Sequence, residues 1–437
     1  MSTGGHALGY DATPALSVPL RFFVTAPLFG LAAGLMLLVA PDLLQSRWTP
    51  GALALTHLIT VGFMLMVIVG ALFQILPVVC GAEIPGARPL ATLLHPLLVS
   101  GTVTLVAGLY AMQPPWLILA TALLSLAFAL FLAFAVAGLW RTRGRSDSQR
   151  DLRAALLGLA IAIGLGVTLA LILACGLPIP LLTTLDLHVG WALLGGLGVL
   201  VAATSWIVVP MFHITPPYPL LLSRYWTSAC LGALVVWSLA TIGESSLAST
   251  VSSVTLFAML TLAGTFALAT LRLQSRTRRR NPDASFGTFR FGMLCLLAGI
   301  LVTALIPFVT IASLPVIAGV LLLHGGFTSV IQAMLYKIVP FLCWLHLTQA
   351  GIKAPNMRLL MPESRVWGQL RSHTVAVVAL LLASITGHDL VTRAAGVAII
   401  VSFAWLFSNQ LYTLRTARQA RRHNRPLRNP GATHSAT

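Results

Sequence analysis

The chain is poor in charge. Charged residues make up 8% of its 437 positions, and only 10 of them are Asp or Glu. A soluble domain carries about 25% charged residues. With 57% apolar residues and a mean hydropathy of +0.91, a soluble globular protein is excluded, and the lipid bilayer becomes part of the solvent. Cysteine is also scarce. Cys80, Cys175, Cys230, Cys295 and Cys343 stand far apart, with no C-x-x-C among them. That argues against disulfides, an iron–sulfur cluster and covalently attached haem. The N-terminus up to Leu20 is polar and contains Pro, without a cleavable signal pattern. The first apolar run is therefore expected to be its own insertion signal.

What is present is apolar sequence in long runs. A bilayer core takes about 20 apolar residues per helix. The runs predict twelve spans, at 21–40, 52–80, 91–112, 116–140, 152–175, 182–212, 225–243, 248–272, 289–310, 314–346, 373–387 and 391–412. The net charge of +17 sits in short basic stretches between these runs, which excludes a nucleic-acid partner. Twelve spans leave Arg47 and Arg393 on one side, Lys337 at membrane depth, and the other 24 of 27 Lys and Arg residues on the opposite side. By the positive-inside rule both termini are then cytoplasmic, and the protein is expected in a bacterial inner membrane. Ten or eleven spans would scramble this asymmetry.

The long basic loops follow the fourth, eighth and twelfth spans. They divide one membrane domain, 1–437, into a cytoplasmic N-tail (1–20), three four-helix repeats (about 21–145, 146–280 and 281–412) and a basic tail (413–437). The second helix of each repeat carries a histidine near its start and an aromatic residue, an aliphatic run and a proline near its end. These are His57 with Phe73 to Pro77, His188 with Trp206 to Pro210, and His324 with Tyr336 to Pro340. Repeats of this kind place functional sites at their interfaces.

Histidine inside a bilayer is costly without a partner. Neutral imidazole is also the usual protein ligand for haem iron, copper or zinc. His57, His188 and His324 are therefore candidate ligands, with interhelical hydrogen bonding as the plainer role. Gly62 and Gly70, Gly190, Gly195, Gly196 and Gly198, and Gly325 and Gly326 would leave room for a flat cofactor. His95, His213 and His346 are expected at the membrane interface, and His373 and His388 receive no role. Lys337 is expected to snorkel to the cytoplasmic surface, and Gln332, Gln74 and Tyr336 to make helix contacts. Asp186 lies at the outer mouth beside His188. None of the acidic residues is placed firmly inside a span.

Twelve helices, three blocks of four, and histidines on helices two, six and ten resemble the haem–copper oxidase subunit I superfamily. The stretch His57 through Phe73 to Pro77, then Gly81-Ala82 and Pro85, is similar to its low-spin-haem helix. The resemblance implies an all-α, oxidase-like fold. It places His57 and His324 as axial ligands of a haem b, and His188 as a second-site ligand for haem iron or copper. Two departures count against oxygen reduction. The seventh span (Tyr225 to Gly243) has no histidine, and Leu323-His324-Gly325-Gly326 offers no second histidine two positions away. A complete haem–copper dinuclear centre cannot be assembled in the usual way. The chain looks more like the outlying NnrS-like branch, which implies respiratory electron transfer or nitric-oxide-related metabolism, with a periplasmic or membrane electron donor. If it is an enzyme, it is an oxidoreductase. A three-repeat secondary transporter and a metal- or haem-handling assembly factor remain open beside this reading.

Overall fold

A computed structural model describes residues 13–142 and 147–423. The N-tail before Thr13, Arg143 and Arg145 of the first basic loop, and Arg425 and Arg428 of the tail lie outside them, as do His6 and His434. Among the described residues the chain is helical and holds twelve helices long and apolar enough to cross a membrane. They are α1 (Ser17–Val39), α2 (Pro50–Cys80), α3 (Ala87–Ala111), α4 (Pro114–Arg141), α5 (Ser148–Cys175) and α6 (Leu181–His213). After them come α7 (Leu220–Ile242), α8 (Ser246–Ser275), α9 (Ala284–Leu305), α10 (Leu314–Gln349), α11 (Glu363–Thr386) and α12 (Asp389–His423). The protein is a multi-pass membrane protein, and an even number of crossings brings both ends of the described chain to one side, called here the terminal side.

Side-chain oxygens close several helix starts, where backbone N–H groups have no partner in the helix. Thr49 accepts from Ala52 N, Ser245 from Ala248 N and Asp283 from Phe286 N, at 3.0–3.1 Å. The packing is ordered by burial. In α2 the most apolar stretch is 72% buried, and in α6 and α10 it is 61% buried. No other span exceeds 50%. These three helices form the centre, and the others surround them. The first and last spans pack along one another, their backbones touching where a Cβ on Gly396 would stand 2.7 Å from the Gly34 carbonyl oxygen.

The three central helices share a departure from α-helical winding. Each widens into an eight-residue π-helical stretch, at Leu58–Leu65, Trp191–Gly198 and Val320–Phe327. Such turns are rare and frequent at functional sites. In each case the wide turn is pressed by the helix that precedes it: Gly62 by Phe29 of α1, Gly196 by Leu159 of α5, and Gly326 by Leu296 of α9. Glycine is needed for this approach. A Cβ on Gly158 of α5 would run into the Gly195 carbonyl, and one on Gly292 of α9 would stand 2.9 Å from the Gly326 carbonyl.

Ten span positions, α1 to α10, match the sequence reading within a few residues. The eleventh is the correction. It starts at Glu363, not 373, because Glu363 to Arg371 is a polar-faced stretch whose other face, Val366, Gln369 and Leu370, is buried. Mean hydropathy misses a helix that hides its apolar residues on one side. The twelfth helix likewise continues past 412 to His423 as a basic extension that buries Thr413 and Ala417 against Leu347 and Leu360.

The α5–α6 seam yields a test. Gly158→Ala is expected to destabilise the protein by about 1–3 kcal/mol, the usual cost of overpacking. Gly264→Ala on α8, where an added Cβ meets nothing within 4 Å, is expected to leave stability unchanged or slightly raised. Thermal unfolding of both variants in one detergent measures the difference.

Candidate functional site

The histidines named from the sequence sit at the wide turns of the central helices, and the structure sorts them into two places. His57 lies on α2 just before its π-helical stretch. Its Nδ1–H donates to the Leu53 carbonyl at 2.7 Å, one turn back on the same helix. His188 lies on α6 three residues before that helix widens, and its Nδ1–H donates to the Ala162 carbonyl of α5 at 2.9 Å. Both rings are half-buried. A carbonyl only accepts, so these bonds set the tautomer of each ring and leave Nε2 with its lone pair. The His188 ring rests in the space left by Gly166, where a Cβ would come within 3.0 Å of Cε1. Asp186, beside His188 in the sequence, is exposed and does not hold its Nδ1, which the Ala162 carbonyl occupies.

The two rings face one another across the gap between α2 and α6. Their centres are 6.5 Å apart and their planes differ by 14°. Two nitrogens bound on opposite sides of one metal ion, at about 2.0–2.1 Å each, put imidazole centres roughly 6 Å apart. The spacing is what two imidazoles would show if they held one iron between them, with Nε2 of each as the ligand atom. The backbone bonds at Nδ1 are what such ligands need to fix tautomer and orientation.

His324 is elsewhere. Its ring lies against His373 of α11, centre to centre 4.9 Å at 43°, and against Phe403 of α12 at 6.0 Å. The expected sharing of one haem by His57 and His324 is therefore not the pairing the rings make: His57 meets His188. The reason is register. His57 and His188 precede their wide turns, whereas His324 is the fifth residue within its own. Equal spacing along the sequence concealed this difference, which turns the third histidine toward another neighbour. At 4.9 Å the His324–His373 pair is too close for two opposed ligands of one iron. His324 is 5% exposed, and its Nε2 is buried with no hydrogen-bond partner.

His373 was missed, because the hydropathy boundary put it at the edge of a span. It is fully buried mid-helix. Ser329 donates to the Gly325 carbonyl, so it accepts from His373 Nε2–H at 2.9 Å, and Ser402 then donates to Nδ1 at 3.3 Å. The network continues along α10, α11 and α12. Gln369 donates to Ser402 and to Gln332, while Asn409 donates to Tyr336 and to the Arg365 carbonyl. Gln332 and Tyr336 thus make helix contacts, whereas the buried Gln74 keeps an unpartnered Oε1. Among the described residues no three His, Cys, Asp or Glu side chains converge as metal ligands. The donors come in pairs.

Toward the terminal side other expectations change. His213 is not interfacial. It is fully buried, edge-on to Phe286 and Phe289 at 5.0 and 5.1 Å, with Gln274 3.3 Å from its Nδ1. Lys337 does not reach out alone but pairs with Asp283, the cap of α9, which also holds Arg279. Asp151, at the start of α5, is a fully buried carboxylate bonded to Arg150 and to Trp206 Nε1. His95 is half-buried and bonds Thr25 at 2.9 Å. The nitrogens of His346 lie 2.9 and 3.1 Å from the carbonyls of Leu342 and Pro14, against the start of the described chain.

No family model matches the sequence, and no curated protein matches it.

Burial alone would raise the Asp283 carboxyl, but Lys337 and Arg279 outweigh it and hold the group below its ordinary range. A depressed carboxylate stabilises the fold above its unfolded value, near pH 4, and loses that contribution as pH falls through the folded value. Asp283→Asn is therefore expected to lower the melting temperature at pH 7. The gap from the parent should close as pH is lowered below about 4. Melting curves across pH check both parts.

Proposed function

We propose that the chain is a haem-b-binding membrane protein on a scaffold like that of haem–copper oxidase subunit I, acting in respiratory electron transfer or nitric-oxide-related metabolism. The observation that carries this reading is the facing pair His57 and His188, 6.5 Å apart and nearly parallel, each anchored through Nδ1. A bound haem would supply a one-electron iron couple. The protein's part is to orient the two rings through the Leu53 and Ala162 carbonyls, to leave Gly166 open beneath His188, and to hold the pair in an apolar surround. If both rings held the iron, no coordination position would stay open, which would suit electron transfer better than catalysis at that site. The recurrence of a wide turn, a preceding helix and a neighbouring histidine in α2, α6 and α10 supports a threefold repeat. The 24-to-2 distribution of basic residues supports an inner-membrane protein with cytoplasmic termini. A soluble or membrane electron donor on the far side follows from the depth of His57 and His188, seven residues or about 10 Å inside their helices.

A secondary transporter is the second reading, and the fully buried carboxylate of Asp151 speaks for it, since buried carboxylates carry coupling protons, although it stands at the start of α5 rather than at mid-membrane. Against it, that carboxylate is already engaged by Arg150 and Trp206.

Absorption spectra of the purified protein, oxidised and reduced, with iron and copper counted per chain, test the proposal. One b-type haem per chain is expected, lost in His57→Ala and in His188→Ala and kept in His324→Ala. Loss in His324→Ala with retention in His188→Ala would restore the pairing expected from the sequence. A colourless protein from haem-replete cells would overturn the haem reading. Gly166→Val, which pushes a side chain against the His188 ring, is expected to weaken haem binding by about tenfold, the lower end for loss of ligand support. Haem titration of the apoprotein measures it.

A further inference from the structure

A groove opens between α4 and α5 near their terminal-side ends, away from every histidine discussed above. Its volume is about 340 Å³, within the range of small-ligand sites. Leu132, Val136, Leu156, Leu157 and Ala160 make it apolar along its length, and Trp140 and Arg153 stand at its terminal-side end. The wall is open to the hydrocarbon: Leu157 is 55% exposed and Trp140 82%. From Trp140 to Leu132 the groove runs eight residues along α4, about 12 Å of helix rise. That is close to the ~15 Å hydrocarbon thickness of one leaflet.

We propose that this groove binds one anionic phospholipid of the leaflet on the terminal side, with an acyl chain along α4 and α5 and the phosphate at Arg153. Two observations choose this occupant. The first is charge. The Arg153 guanidinium is exposed and uses one nitrogen, Nη2, on the Leu139 carbonyl at 2.9 Å, so it is held at the mouth with donors to spare. Arg141 adds a second positive charge in the last turn of α4. Basic pockets between membrane helices recognise anionic headgroups in this way, and a guanidinium matches phosphate oxygens in two-point geometry. The second is depth. Trp140 at the end of α4 lies where indole rings collect at the headgroup boundary, which sets the apolar stretch in the acyl region. The groove also follows the seam at which the chain passes from the fourth to the fifth span. A lipid there would fill the groove between α4 and α5, acting as a wedge between the first four helices and the next four.

The test uses the full-length protein in nanodiscs of equal phosphatidylglycerol and phosphatidylcholine, followed by native mass spectrometry after gentle delipidation. The parent is expected to retain one phosphatidylglycerol per chain in clear excess over phosphatidylcholine. Arg153→Gln is expected to reduce that excess about tenfold, as loss of a charge-assisted phosphate contact does, while Arg153→Lys, which keeps the charge and loses the two-point geometry, is expected to fall between Arg153→Gln and the parent. Ala160→Phe, which fills the groove and leaves the charge in place, is expected to abolish retention of both lipids. Equal retention of the two lipids by the parent would overturn the proposal. So would unchanged retention in both Arg153→Gln and Ala160→Phe, or loss in Arg153→Lys equal to that in Arg153→Gln.

Discussion

Everything at the centre of this protein depends on how closely three pairs of helices approach. In hydrocarbon, helices gain little from burying apolar surface against each other, so association rests on packing and on small residues that let backbones meet. Here α1 presses α2, α5 presses α6 and α9 presses α10, each at a glycine in a wide turn. The Gly158–Gly195 and Gly292–Gly326 contacts are backbone against backbone. Because α5 lies that close to α6, the Ala162 carbonyl reaches His188, and the space over Gly166 receives its ring. The orientation of a candidate ligand is thus a consequence of glycine packing one to two turns away.

The two histidine pairs differ in a way that separates their roles. His57 and His188 have their Nδ1 atoms engaged and their Nε2 atoms uncommitted, and they face one another across a gap. His373 spends both nitrogens on Ser329 and Ser402 and lies over His324. The first arrangement has donors waiting and room between them. The second is a packed polar seam that joins α10, α11 and α12. A buried polar seam of this kind rigidifies the helices it links only when its members are bonded. Most are, and the orphaned Nε2 of His324 and the free amide atoms of Gln332 and Gln369 are the places where it is incomplete.

Much of the architecture was legible because bilayer physics writes itself into composition. Long apolar runs and one-sided Lys and Arg identify spans whatever the tertiary packing, and α1 to α10 followed within a few residues. The start of α11 did not, because Glu363 to Arg371 keeps its apolar residues on one face only. His373 was lost with that boundary. His213 was read as interfacial from its place beyond an apolar run, yet Phe286 and Phe289 of α9 cover it. Such errors share a cause: sequence reports where a residue lies along its own helix, and burial is decided by a helix far away in the chain.

The pairing of the histidines shows the deeper limit. Spacings of 131 and 136 residues made His57, His188 and His324 look equivalent, and the resemblance then paired His57 with His324. A π-helical stretch breaks the 3.6-residue period on which facing is inferred. One residue before, three before and four after the start of the wide turn are three different directions around the helix. Only two of them converge, and those two are the rings whose backbone bonds have already set Nε2 free. Directionality, rather than presence at membrane depth, is what distinguishes a candidate ligand from a histidine that holds helices together.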